Sequence, residues 1–288
     1  MPNAPVVPTV RRRRLGATLR RLRNDAGLTL DEAAALMGWK APKMSKVENA
    51  CATIRPVDVA ALVKGYGVTD ADVSKALENL ARDAGKKGWW QTYSGVLAPA
   101  YADYISLETD ADRISEWCPL LVPGLLQTAA FARETIAGSS MTRTPDEIAA
   151  LAEVRQARQA VLSRPGNPLE LWAIIHEAAL HQRFAVRPAT MREQLRRLLD
   201  AAELPNVTIQ IMPLDATPHP GIMGGFSLVV FPGALPDIVL LENLSGATYI
   251  EGEDAIPFAR GIDRIRASAL SVEDSLARIV HLAEGTKT

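Results

Sequence analysis

The sequence predicts an α+β chain built in two parts: an all-α domain of five helices, then an α+β domain with a small mixed sheet. Three observations predict it. Apolar residues recur at helical spacing throughout residues 11–82. Runs of β-type residues at 113–117, 169–175, 207–212, 226–231 and 238–242, with 247–250 as a further candidate, interleave with helical patterns only after that. The charge also changes sign along the chain: residues 1–68 hold 12 Lys and Arg against 5 Asp and Glu, and residues 69–288 hold 20 against 28. A basic head on an acidic body points to a polyanion as the partner of the head alone. At 288 residues, two domains are the ordinary expectation.

The head is organised around residues 28–49, LTLDEAAALMGWKAPKMSKVEN. Thr29 and Glu32 have the spacing of a capping box, so a helix starts at Thr29. Leu30, Ala33, Ala34 and Met37 supply its inward stripe, and the small alanines admit a steeply crossing neighbour. Gly38 stands where the chain leaves the helix, and Trp39 and Lys40 complete the turn. A second helix opens at Ala41 and Pro42, since first-turn N–H groups lack helical partners and proline is tolerated there. Its inward residues are Met44 and Val47; Lys43, Ser45, Lys46 and Asn49 face outward.

The remaining head elements follow in order. Residues 1–10, with three prolines before position 9, read as a disordered arm. A helix over 11–25 buries Leu15, Leu19 and Leu22, while Arg11 to Arg14, Arg20, Arg21 and Arg23 cover its outer surface. After a loop at 50–55, Pro56 starts a helix carrying Val59, Leu62, Val63 and Tyr66, which Gly67 ends. Thr69 caps a fifth helix, with Val73, Leu77 and Leu80 in one stripe. The domain spans 11–82, and 83–95, containing DAGKKG, is the linker to the domain at 96–288.

A helix-turn-helix accounts for these choices together. Leu19, Leu22, Gly27-Leu28-Thr29, Glu32-Ala33-Ala34, Leu36, Gly38-Trp39 and Lys43-Met44-Ser45-Lys46-Val47-Glu48 resemble the phage-repressor-like family of helix-turn-helix regulators. The expected DNA contacts are Arg12, Arg13, Arg20, Thr29, Lys40, Lys43, Ser45, Lys46 and Asn49, with Lys46 the first candidate for a base edge. Thr29 is expected to present helix-terminal N–H groups to a phosphate. The chain departs from the family at Lys40-Ala41-Pro42, where polar residues are common. Ala41 and Pro42 cannot make the paired amide bonds that read adenine, so DNA shape and thymine methyl contacts gain weight.

In the second domain the patterns predict helices over 97–107, 128–136, 145–163, 177–182, 189–203, 255–270 and 272–283, with 119–127, PLLVPGLLQ, as an apolar loop. Gly88-Trp89-Trp90, 121–128, 158–162, 177–180, 204–208 and His219-Pro220-Gly221 resemble the C-terminal domain of a large family of actinomycete transcriptional regulators. That resemblance implies an antitoxin-like or developmental regulator whose C-terminal domain engages a small partner protein encoded nearby. Six of the 15 aromatic residues fall between Trp89 and Trp117. A partner or effector site is therefore sought at Trp89, Trp90, Tyr93, Trp117, Leu121 and His219.

Enzyme chemistry finds no foothold in the sequence. His176 and His181 flank Glu177 but are five apart, about 140° around a helix, where a zinc site of that type needs four. The glycines of GIMGGF precede a strand instead of opening a helix, which removes a phosphate cradle. No G-x-S-x-G occurs. No metal, no cofactor and no catalytic residue is expected. Cys51 and Cys118 lie far apart and suit free thiols in a reducing compartment. There is no apolar run of about 18 residues to span a bilayer. The N-terminus has its charges after its apolar stretch, the reverse of a signal peptide.

The expectation is a cytoplasmic, homodimeric, sequence-specific regulator bound to double-stranded DNA and controlled by a small partner protein. One alternative gives the second domain a small-molecule effector pocket. Another makes the chain a protein-interaction antitoxin whose DNA binding only regulates its own gene.

Overall fold

The computed structural model describes residues 9–86, 88–139, 143–232, 235–243 and 246–285. It forms two compact units, Met1–Gln91 with Phe231–Pro236, and Thr92–Val230 with Asp237–Thr288. Most of the expected arm, 1–8, lies outside the described residues. Thr9 and Val10 belong to structure: Thr9 caps the first helix, its hydroxyl accepting from the Arg12 N–H.

The first unit is built from α1 (Val10–Asp25), α2 (Leu30–Leu36), α3 (Ala41–Glu48), α4 (Pro56–Gly65) and α5 (Ala71–Asp83). Leu15, Leu19, Met44, Leu62 and Leu77 are buried in its core. Truncating one of them to alanine would cost about 2–5 kcal/mol. Gly38 holds φ at +63°, the left-handed conformation that glycine adopts without steric cost, and so ends α2 as its position predicts. Gly16 has a different role. A Cβ there would stand 2.5 Å from the Glu48 carbonyl oxygen and 2.8 Å from that of Val47, so only glycine lets α1 lie against the end of α3.

The second unit is a six-stranded mixed sheet with helices. Its strands are β1 (Arg113–Cys118), β2 (Glu170–His176), β3 (Val207–Met212), β4 (Phe226–Val230), β5 (Ile238–Asn243) and β6 (Gly246–Glu251), in the order β3-β2-β1-β4-β5-β6. The first three run parallel, and β4, β5 and β6 follow antiparallel. Register sets the two faces. Trp117 lies beside Ile174 and Phe226, and these pack with Ile262 and Ile265 of α10 (Ile256–Ser268). Glu116 lies beside Ala173 and Ser227 and faces the other way, toward α6 (Pro99–Asp110) and α8 (Pro145–Arg158). The edge strand β3 is answered by α11 (Val272–Gly285): Ser275 Oγ accepts from the Ile211 N–H, and the Leu270 N–H donates to the Ile211 carbonyl.

Several expected boundaries move. The fifth helix is capped by Asp70, not Thr69, its carboxylate accepting from the Asp72 and Val73 N–H groups. The helix expected at 97–107 runs from Pro99 to Asp110, because Arg164 donates to the Thr109 and Ala111 carbonyls at its end. The long helix to Ser163 is α up to Arg158 and tightens to a 3-10 turn over Gln159–Ser163, where the Val161 and Leu162 carbonyls bond instead to the Leu169 N–H and the Asn206 amide. Residues 177–182 form a 3-10 turn, Glu177–His181, and not an α-helix. Arg11 and Arg14, expected to cover the outside of α1, are 8% and 1% exposed; Arg14 sits 3.2 Å over the Phe231 ring and donates to the Pro236 carbonyl. The expected linker also carries structure, a 3-10 turn at Trp89–Tyr93 with Trp90 buried.

Candidate functional site

In the head, α3 presents Lys43 and Lys46 outward from the side opposite the buried Met44 and Val47, with Lys40 exposed at its start. That amphipathic split fixes which way the helix faces. Lys43 Nζ lies 3.6 Å over the Trp39 ring, so the turn residue holds one cation in place. Ser45 is half-buried and receives the Asn49 amide, which also donates to the Ser45 carbonyl. Arg20 reaches from α1 to the Asn49 side-chain oxygen and stands 3.4 Å from Glu48, while 45% of its side chain stays exposed. Arg12 and Arg13 are half-buried on α1.

Glu48 organises this face. Its side chain is 2% exposed and receives Arg23 through a two-bond fork at 2.7 and 3.1 Å, with Arg20 as a further cation. Arg23 also donates to the Leu28 carbonyl, tying α1 to the entry of α2. Glu48 raises the Arg23 pKa through that hydrogen bond.

The capping box forms, and Glu32 takes both the Thr29 N–H and its hydroxyl, at 2.8 and 2.7 Å. Those hydrogen bonds lower the Glu32 pKa and keep a carboxylate at the start of α2. Thr29's own N–H is therefore engaged by Glu32.

The second unit holds a cavity of about 250 Å³ at the carboxyl end of β1, where the sheet order passes from the parallel strands to β4. Open sheets with such a change of order bind ligands at this place. Tyr101 and Tyr104 from α6, Arg155 and Arg158 from α8, Glu116 to Gly124, Gly225 to Ser227, and Leu240 and Glu242 of β5 line it, with Gln127. Arg158 is matched: its guanidinium forks onto Glu108 at 3.0 and 2.5 Å and donates to the Tyr101 hydroxyl. Glu116, 6% exposed, forms no ion pair among the described residues. Its Oε1 accepts from the Tyr104 and Ser227 hydroxyls at 2.9 and 3.2 Å, and its Oε2 meets, among the described residues, the Cys118 thiol at 3.8 Å. Burial pushes the Glu116 carboxyl up against the opposing pull of the Tyr104 hydrogen bond, and pushes the Cys118 thiol well up.

The six aromatic and apolar candidates divide between the two units. Trp117 and Leu121 line the cavity. His219 packs edge-on to Trp117 at 5.2 Å, on a ring whose N–H donates to the Gly221 carbonyl, and burial beside His176 lowers its pKa. Tyr93 bonds to Glu153 elsewhere in the same unit. Trp89 and Trp90 meet edge-to-face at 5.9 Å in the first unit. His176 and His181 gather no metal site: among the described residues no group of three potential ligands occurs.

Sequence reasoning passed over Gly16, Glu108 and Glu116, and gave Glu48 only as part of the helix-turn-helix resemblance, without its ion pairs. A usable sign existed for Glu116, a charged residue inside the run RISEWC, because a central strand covered on both faces admits a carboxylate only where something answers it. Glu48 has no such sign, since its neighbours in sequence are ordinary for a helix end.

Two family models match the chain. A helix-turn-helix domain matches residues 14–76, and a domain of unknown function, DUF5753, matches residues 101–281. No curated protein and no solved structure matches it.

Proposed function

Because the chain belongs to the family defined by the DUF5753 domain and carries a helix-turn-helix domain ahead of it, we propose that it is a sequence-specific, homodimeric transcriptional regulator controlled through its second unit. The observation that carries this reading is α3: buried Met44 and Val47 hold it in place while Lys40, Lys43 and Lys46 face out, where cations neutralise phosphates and reach base edges. One such helix reads only a few base pairs. Two copies on half-sites about 34 Å apart supply a usable operator. The DNA-contact set is Arg12, Arg13, Arg20, Lys40, Lys43, Ser45, Lys46 and Asn49, with Lys46 the principal base reader and Arg20 acting through its hold on Asn49. The chain works in the cytoplasm, without enzymatic activity; no helix among the described residues is long and apolar enough to cross a membrane.

The controlling input is a small partner protein, as the resemblance to antitoxin-like actinomycete regulators implies. The cavity at β1 favours a second reading, in which the input is a small molecule. Footprinting on duplex DNA upstream of the chain's own gene, across a salt series, tests the common core of both. Protection should weaken by about 0.9 in log affinity per phosphate contact for each decade of salt. No retention on duplex DNA at low salt overturns the regulator reading. Co-purification with a neighbouring small gene product, set against thermal stabilisation by metabolite extracts, separates the two inputs.

A further inference from the structure

We propose that the cavity at the carboxyl end of β1 binds a compact organic ammonium compound, with its charged head against Glu116. The inference deepens the second reading above and rests on that cavity being a ligand site.

The charges around the cavity make the selection. Arg158 is neutralised by Glu108 in a two-bond fork and is further held by Tyr101, so it has little left for an anion. Arg155 gives one N–H to the Gln127 side chain, and its buried Nε has no partner among the described residues, so it is the one guanidinium counted on the positive side. Against these stand Glu116 inside the cavity and Glu242 on its wall. With the Glu108–Arg158 pair closed, two carboxylates face one guanidinium, and a single positive charge restores balance.

Glu116 Oε2 is the acceptor that the protein leaves underused, since a thiol at 3.8 Å is a weak donor and Oε1 takes both hydroxyls. A buried carboxylate without a cation is costly, and an ammonium hydrogen-bonded to it removes most of that cost. The walls suit the rest of such a ligand. Leu240, paired with Ser227 on the Glu116 face of the sheet, and Leu121 with Val122 offer the cavity an apolar surface. A volume of about 250 Å³ lies below the range of drug-sized sites and fixes the ligand as small.

The test uses the full chain and one molecular frame carrying three charges: phenethylamine, 2-phenylethanol and phenylacetate, each titrated by isothermal calorimetry. Phenethylamine is expected to bind at least about tenfold more tightly than 2-phenylethanol, and phenylacetate most weakly. Glu116→Gln keeps the shape and the acceptor for Tyr104 and Ser227, and should bring phenethylamine and 2-phenylethanol to within about twofold of each other. Should that variant lose its native near-ultraviolet circular dichroism, Glu242→Gln on the exposed rim replaces it. That change should weaken phenethylamine about two- to threefold and leave 2-phenylethanol unchanged. Tightest binding by phenylacetate, a charge preference that Glu116→Gln (or, where it is the variant used, Glu242→Gln) leaves undiminished, or no binding of any of the three at millimolar concentration overturns the proposal. If phenethylamine binds as expected and operator affinity does not change, the ligand class stands and the effector reading fails.

Discussion

Glu48 in the head and Glu116 in the sheet are both carboxylates at a few per cent exposure, and the protein treats them in opposite ways. Glu48 receives two arginines, one through a fork, and the result is a rigid joint between α1 and α3. Glu116 receives two hydroxyls and a thiol, and beside it lies open volume. In the first case the chain supplies its own counter-charge and the carboxylate is structural. In the second no cation among the described residues pairs with the carboxylate, and that is the opening the proposed ammonium ligand would fill. A buried acid therefore identifies a scaffold or a site according to whether its partner is internal.

The largest effect should come from Glu48. Glu48→Ala leaves Arg23 without its partner near the core and should cost about 3–5 kcal/mol, read as a lowered urea midpoint together with lost DNA retention. A cost below about 1 kcal/mol would place Glu48 among ordinary surface pairs and dissolve the contrast. Next comes Gly16→Ala, where the added methyl meets backbone oxygens that no rotamer change can move. It should cost about 1–3 kcal/mol, with the loss visible in the same denaturation curve. If it proves neutral, the α1–α3 joint is set by the ion pairs alone.

Lys46→Ala then asks whether the outward cations of α3 read sequence or only attract DNA. It should remove about 1–3 kcal/mol from operator binding and much less from binding to unrelated duplex, whereas Arg12→Ala should lower both alike. Equal losses at Lys46 across sequences in competition gel shifts would take it out of the base-reading set.

The smallest effect is a pH dependence. Burial raises the folded-state pKa of Glu116, so below the ordinary carboxyl range the folded and unfolded states are both protonated and nothing is lost. As pH rises from there through the raised value, the unfolded chain gives up the proton first and stability falls. Glu116→Gln removes that dependence, so the stability of the variant relative to the parent should climb over the same interval. Guanidine unfolding at a series of pH values reads it; a difference flat with pH would show that Glu116 ionises as freely folded as unfolded.

Much of the head was open to sequence reasoning because its devices are local. Thr29 with Glu32, Gly38, Pro42 and the spacing of Met44 and Val47 act within one or two turns, and each appears where its pattern puts it. What was hidden depends on residues distant in sequence. The fork between Glu48 and Arg23, the closeness of Gly16 to α3 and the seat of Arg14 on Phe231 join positions whose meeting no periodicity announces. The cap that marks Thr29 as a helix start also engages Thr29's own N–H with Glu32, a detail the capping pattern itself contains. In the second unit all six strands followed from β-type runs, but the strand order, and with it the cavity, comes from long-range pairing.

The first unit is discontinuous: it includes Phe231–Pro236, and with them the ring and carbonyl that engage Arg14. Anyone cutting the gene after codon 91 to obtain a minimal DNA reader would remove the ring and the carbonyl that Arg14 engages. Such a truncation would underestimate the native head, and a graft restoring those six amino acids is the fairer reagent.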